Sequence, residues 1–181
     1  MKKLRLSNSL INSWLRGNPD EVIATYFHLD RPKSKALEDG IKIHEDLEKH
    51  ITKYNSFPDW FFDGPLLMPE CEKKVIVEYN EMFDLSGVFD CIDGRTLYEF
   101  KSGVQNSLTW VGKDQIPLYF LIAELAKIDL DKVYLIHYNQ HTKEKDFAVM
   151  WNSPSLVEKG RNIVDSYGPE IHAFFESEGL L

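Results

Sequence analysis

The sequence predicts an α/β fold, a central mixed β-sheet with α-helices packed on it, and three observations carry that expectation. Some segments repeat apolar residues at three- and four-residue steps, the helical period. Others are short, rich in β-branched and aromatic residues, and bounded by turn residues, as strands are. The two kinds interleave as helix, helix, three strands, helix, two strands, helix, which suits a sheet covered by helices.

Residues 7–16 read as a short helix. Ser7 or Ser9 can cap it, and Leu10, Ile11, Trp14 and Leu15 share one face. "RPKS" at 31–34 leads into a stronger helix over about 35–54, where Leu37, Ile41, His44, Leu47 and Ile51 form an apolar stripe. Residues 55–72, with Pro58, Gly64, Pro65 and Pro69, read as irregular. Three strands follow at about 74–79, 82–92 and 95–101, with turns at Asn80-Glu81 and Asp93-Gly94. A helix over about 114–128 starts at the N-cap candidate Asp114 and tolerates Pro117 in its first turn. Strands at about 132–139 and 145–151 come next. Helical segments over about 155–177 close the chain, opened by Ser155 with Glu158 as a capping box and broken near Gly168-Pro169.

With 181 residues, 43% hydrophobic and 13% aromatic, the chain fits one domain spanning residues 1–181. It shows no repeat, low-complexity tract or Gly/Ser linker. The longest apolar run, about 118–126, is far too short to cross a bilayer and is interrupted by Glu124, so no membrane role is expected. The basic N-terminus lacks the continuous apolar stretch of a secretory signal. Cys71 and Cys91 are too few for a four-cysteine metal site or a disulfide framework, and a reducing cytoplasm is the expected compartment. The net charge of −8 opposes a broad nucleic-acid footprint, although Lys2, Lys3, Arg5 and Arg16 precede the first acid, Asp20.

Charge inside the central strands raises the functional question. With Asp93-Gly94 as a two-residue turn, Asp90 falls opposite Leu97 and Glu99 opposite Val88. Asp90, Glu99 and Lys101 then project from one face, and Phe89, Cys91, Tyr98 and Phe100 from the other. Asp90 and Glu99 become diagonal neighbours about 7–8 Å apart at the backbone. Two acids so close repel unless a cation joins them, and a hard divalent ion with oxygen ligands is the natural one. Lys101 adds an ammonium that can orient water and stabilise a phosphoryl transition state. The bland alternative is a solvated hairpin face with a surface ion pair. Elsewhere, His44 on its stripe reads as a core residue or a ligand. Gly40 lies one turn before it, and Gln115 and Tyr119 share a helix face.

Together these residues spell a pattern: Gly40-Ile-Lys-Ile-His44, Gly87-Val-Phe-Asp90, Glu99-Phe-Lys101-Ser-Gly and Gln115-Ile-Pro-Leu-Tyr119. It resembles the RecB-type nuclease branch of the PD-(D/E)XK superfamily, which includes CRISPR-associated RecB-like exonucleases. There the motifs GxxxH, GxxD, ExK and QxxxY occur in this order. The resemblance implies a restriction-endonuclease-like core and a DNA exonuclease acting in recombination, replication or repair. It implies a Mg²⁺ or Mn²⁺ ion held by His44, Asp90, Glu99 and the backbone carbonyl of Phe100. Asp90, Glu99 and Lys101 would be catalytic, and Gln115 and Tyr119 would position the DNA backbone or support the lysine. Glu70 is a candidate for an upstream family acid, with Glu72 and Glu78 competing for that place.

The partner so implied is DNA, as single strands or duplex ends, with a homo-oligomer or a recombination or replication partner as further candidates. The sequence departs from several relatives in having Asn18 before Pro19, where they carry a cysteine, and in having no cysteine after Cys91. No iron–sulfur cluster is therefore expected, and a stand-alone nuclease of phage or mobile-element type is. The alternative is a catalytically inactive member that binds DNA or protein, against which the retention of Asp90, Glu99 and Lys101 argues.

Overall fold

The computed structural model describes residues 3–29, 34–103, 107–111 and 113–181. The Arg31–Lys33 lead-in to the second expected helix, and Lys2 of the basic start, lie outside the described residues. The elements run β1 (Leu4–Ser7), α1 (Asn8–Leu15), α2 (Pro19–Tyr26), α3 (Lys35–Tyr54), β2 (Glu70–Glu78), β3 (Phe83–Asp93) and β4 (Thr96–Ser102). They continue with α4 (Ser107–Val111), α5 (Gln115–Leu125), β5 (Lys132–Tyr138), β6 (Lys145–Trp151) and α6 (Pro154–Ser177). The strands form one six-stranded sheet in the order β1-β3-β4-β5-β6, with β2 along β3. It is mixed: β1 runs parallel to β3 and β4 to β5, and the other pairs are antiparallel. The expected central mixed sheet flanked by helices is thus the fold found.

Helices cover both faces. α5 is apolar on every side, from Ile116 through Ala123, because it lies inside the larger core between the sheet and α6. Burying side chains such as Phe120 and Leu121 contributes roughly 1.5–3 kcal/mol each. Gly160 lets α6 come this close, since a Cβ there would meet the Pro117 carbonyl oxygen at 2.5 Å. On the opposite face, Leu47 and Ile51 of α3 pack with Phe57, Phe61, Phe100 and Ile136. Among the described residues no helix is long and apolar enough to cross a membrane.

Several sequence expectations need correction. β1, α2 and α4 were not foreseen, being short and without a clear period. β2 begins at Glu70, inside the stretch read as irregular, because Glu70 and Cys71 pair with Ile92 and Cys91. Leu37 and Ile41 are 53% and 37% exposed, so the buried apolar face of α3 lies in its second half, at Leu47 and Ile51. Asp114 takes a helical backbone without a capping bond, and its carboxylate approaches Lys159 at 3.5 Å. The last helix is capped by Ser153, whose hydroxyl accepts from the Leu156 N–H, rather than by Ser155.

That helix also runs unbroken through Gly168-Pro169. Gly168 lies against Phe83 and Leu6, and Ile171 and Phe175 beyond it are fully buried. This packing outweighs the cost of about 3 kcal/mol for an interior proline.

Candidate metal centre

The β3–β4 hairpin sets the site. Its ladder pairs Asp93 with Thr96, Ile92 with Leu97 and Cys91 with Tyr98, so the turn residues are Gly94-Arg95 rather than Asp93-Gly94. Gly94, at φ 57°, occupies the first turn position, where type II′ hairpins place glycine. Asp90 therefore does not face Leu97, nor Glu99 Val88. A shift of two residues does not by itself change the face of a side chain, and Asp90, Glu99 and Lys101 still line one cleft. Beyond Cys91 the two strands diverge, and the Phe100 N–H donates to Asp90 Oδ2 at 2.7 Å instead of to a strand carbonyl.

Face alternation slips in the same place. Phe89 packs in the larger core, 5.1 Å from the Tyr119 ring, whereas Cys91, Tyr98 and Phe100 belong to the opposite cluster. The four therefore do not share one face. The β2–β3 ladder likewise omits the Glu72–Asp90 step, where Glu72 takes a left-handed backbone with φ 50°. Such strain in a non-glycine residue persists where the surroundings over-determine it, commonly at functional sites.

Three segments meet here. His44 from α3, Glu72 from β2 and Asp90 from β3 each offer a donor atom, and these atoms all lie within 4.8 Å of one another. Glu72, not Glu70, supplies the β2 acid. The Glu70 carboxylate is exposed and takes the Lys73 ammonium at 2.6 Å. The signal that would have chosen between them is the register, which sets Glu72 across from Asp90.

Glu99, only 1% exposed, accepts at Oε1 from Lys101 Nζ (2.5 Å) and Gln115 Nε2 (2.6 Å). Lys101 also donates to Gln115 Oε1 at 3.0 Å. Gln115 Nε2 reaches the Tyr119 hydroxyl, which donates to the Val88 carbonyl, both at 2.8 Å. Tyr119 is buried, and its hydroxyl links the Val88 carbonyl to Gln115, which in turn bonds Lys101. The motif glycines allow close approaches: a Cβ on Gly87 would meet Tyr119 and Ile122 at 3.2 Å, and one on Gly40 the Ser102 hydroxyl at 2.8 Å. The His44 ring sits edge-on to the Phe100 ring, with centroids 5.9 Å apart.

The electrostatics are those of a centre short of positive charge. Burial pushes Glu99 up to about 7, and the Asp90 charge adds to this against Lys101. Burial also pushes Asp90 up to about 6, opposed by Lys101 and the Phe100 N–H. Partial enclosure raises Glu72 in the same sense. Burial alone would lower Lys101, but the charges of Glu99 and Asp90 reverse the effect and hold the ammonium firmly protonated. Burial lowers His44, keeping the imidazole in the neutral form that ligates metals.

A divalent cation fits these residues. Glu99 Oε2 is buried without a hydrogen-bond partner, and one imidazole and three carboxylates suit a hard or borderline ion. The group lines a cleft of about 510 Å³ that extends past Lys74 to Ser7, Asn8 and Arg5 at the N-terminal end of α1. Of the basic residues at the start of the chain, Arg5 borders this cleft.

No protein-family model and no curated protein matches the chain by sequence. Solved structures do match in three dimensions. An alkaline exonuclease from Laribacter hongkongensis is 12% identical, with 97% of this chain and 91% of that one superimposed at a TM-score of 0.58. A protein assigned as an exonuclease from Eubacterium rectale is 13% identical over 98% and 83%, at a TM-score of 0.68. A phage-related exonuclease from Haemophilus somnus is 9% identical over 98% and 97%, at a TM-score of 0.58. The likeness is one of fold: the same mixed sheet flanked by helices, over nearly the whole chain.

Proposed function

We propose that this chain is a divalent-metal-dependent DNA exonuclease of the RecB-like PD-(D/E)XK kind. The observation that carries the reading is the meeting of His44, Glu72 and Asp90 within 4.8 Å, beside the buried Glu99–Lys101 pair, in one open cleft. Support from outside the chain comes from the exonucleases that share its fold, one of which holds dAMP in its structure.

His44, Glu72, Asp90 and Glu99 would hold the ion, with the Phe100 carbonyl beside them. When bound, Mg²⁺ or Mn²⁺ supplies Lewis-acid polarisation of a phosphodiester and a more acidic water. The chain's own residues do the rest. Lys101, fixed by Glu99 and Gln115, presents an ammonium toward the attacked phosphate. There it orients the nucleophilic water and stabilises charge that develops on the phosphoryl oxygens. Gln115 and Tyr119 keep Lys101 from swinging away. Asp90 is tied to the Phe100 N–H, so its carboxylate meets substrate already oriented. Arg5 borders the cleft as a local cationic contact for the DNA backbone despite the net charge of −8.

The same reading makes residues 1–181 one nuclease domain without an iron–sulfur cluster. It acts in the cytoplasm on single strands or duplex ends during recombination, replication or repair, in a phage-type setting. A second copy, or a recombination or replication partner, would keep it on DNA between cuts. The test mixes the protein with linear single- and double-stranded DNA, labelled separately at each end, with Mg²⁺, Mn²⁺ or chelator. Metal-dependent release of short products from an end supports the reading. Folded protein that leaves both substrates intact under both metals overturns it.

A further inference from the structure

Cys71 and Cys91 are directly opposite partners on β2 and β3. Opposite residues of an antiparallel pair hold their Cα atoms about 4.5–5.5 Å apart, within the range of about 4.4–6.8 Å that a disulfide spans. Being directly opposite, their side chains leave the ladder on the same face. Their surroundings differ. Cys91 is 0% exposed within the cluster of Phe100 and Leu47, whereas Cys71 keeps part of its surface in solvent.

We propose that Cys71 and Cys91 form a reversible cross-strand disulfide, with Cys71 as the thiol that meets the oxidant and Cys91 as the thiol that resolves it. The oxidant class is a peroxide. The Cys71 sulfur attacks one peroxide oxygen, the O–O bond breaks, and Cys71 becomes a sulfenic acid while the other oxygen leaves as water or alcohol. The Cys91 sulfur then attacks the Cys71 sulfur. The S–S bond forms as the S–O bond breaks, and the hydroxyl leaves with the Cys91 proton as water. Two thiols lose two electrons and one peroxide gains them. Because the two residues are directly opposite on paired strands, resolution by Cys91 outruns capture of Cys71 by a second molecule.

The bond would cross the sheet one residue from Glu72 and one from Asp90, next to the ladder step these two leave unpaired. It would pin β2 to β3 where both acids emerge. The inference does not depend on the nuclease reading, because its readout is the state of two sulfurs.

The experiment exposes the full chain to a small excess of hydrogen peroxide, unfolds it in an alkylating agent, and measures intact mass and linked peptides. The expected result is a loss of two hydrogens, no alkylated thiol, a 71–91 linked peptide, and return of both thiols on treatment with dithiothreitol. Cys91→Ser should stop at a dimedone-reactive Cys71, and Cys71→Ser should leave Cys91 unmodified in the folded protein. Two alkylatable thiols after a dose that oxidises free cysteine would overturn the proposal. So would a bridge between two chains, or oxygen added at Cys71 of the wild type without a link.

Discussion

Replacing Glu99 by glutamine should stabilise the metal-free protein at pH 8 and leave it nearly unchanged at pH 5. Glu99 is 1% exposed, and its carboxyl titrates at about 7 rather than the ordinary 4.5. At about 1.4 kcal/mol per unit, holding it ionised in the folded chain costs roughly 3 kcal/mol. The folded-state value is the raised one. The stability associated with the protonated acid is therefore complete below about pH 4.5 and is lost as pH rises through about 7. Glutamine mimics the protonated form and keeps an oxygen for Lys101, so it escapes that loss.

For a chain of 181 residues, about 3 kcal/mol corresponds to a rise in Tm of roughly 6–12 °C at pH 8. At pH 5 the difference should shrink to under about 1 kcal/mol. The assay is thermal unfolding by circular dichroism in chelator from pH 5 to 8, repeated with Mn²⁺. Saturating ion should raise the Tm of the wild type at pH 8 and raise that of Glu99→Gln much less. A variant less stable than wild type at pH 8 without metal, or equally stabilised at both pH values, would refute the picture of an undercompensated acid centre.

Lys101→Met keeps the stem and removes the ammonium; kcat on linear DNA should fall about 10²–10³-fold with the circular dichroism spectrum unchanged, and turnover within tenfold of wild type would count against the assigned role. Glu72→Gln should weaken Mn²⁺ binding by roughly tenfold or more in calorimetry, while Glu70→Gln should leave it unchanged, since Glu70 only pairs with Lys73; equal effects would return the β2 acid to doubt. Gly160→Ala should cost about 1–3 kcal/mol of stability in denaturant unfolding, because its Cβ would collide with the Pro117 carbonyl; an unchanged midpoint would mean that α5 and α6 part more readily than their packing implies.

The sequence carried the element types and the convergence of Asp90, Glu99 and Lys101, because side-chain alternation depends only on parity. A hairpin misread by two residues still sends the same side chains to the same face. It did not carry the slip at Phe89–Cys91, which arises where β3 and β4 diverge and Asp90 captures the Phe100 N–H. Glu70 and Glu72 have the same parity on β2. Only the pairing with β3, together with the left-handed backbone at Glu72, separates a surface ion pair from a member of the centre. The start of β2 was hidden because Glu70, Glu72, Lys73 and Lys74 make an edge strand look like a charged loop. Pro169 was read as a break because the local rule is strong, while the contacts that overrule it, Gly168 on Phe83 and Leu6, come from distant parts of the chain. The pairing of Cys71 with Cys91 likewise exists only through the strand register.

Crystals soaked in Mn²⁺ and measured for anomalous scattering test the central claim most directly. A single strong peak within ligand distance of the His44 ring and the Asp90 and Glu99 carboxylates, with Glu72 at its side, and weakened in Asp90→Asn, is the predicted result. An anomalous map empty at that position under saturating Mn²⁺, or a peak that survives Asp90→Asn undiminished, would contradict it.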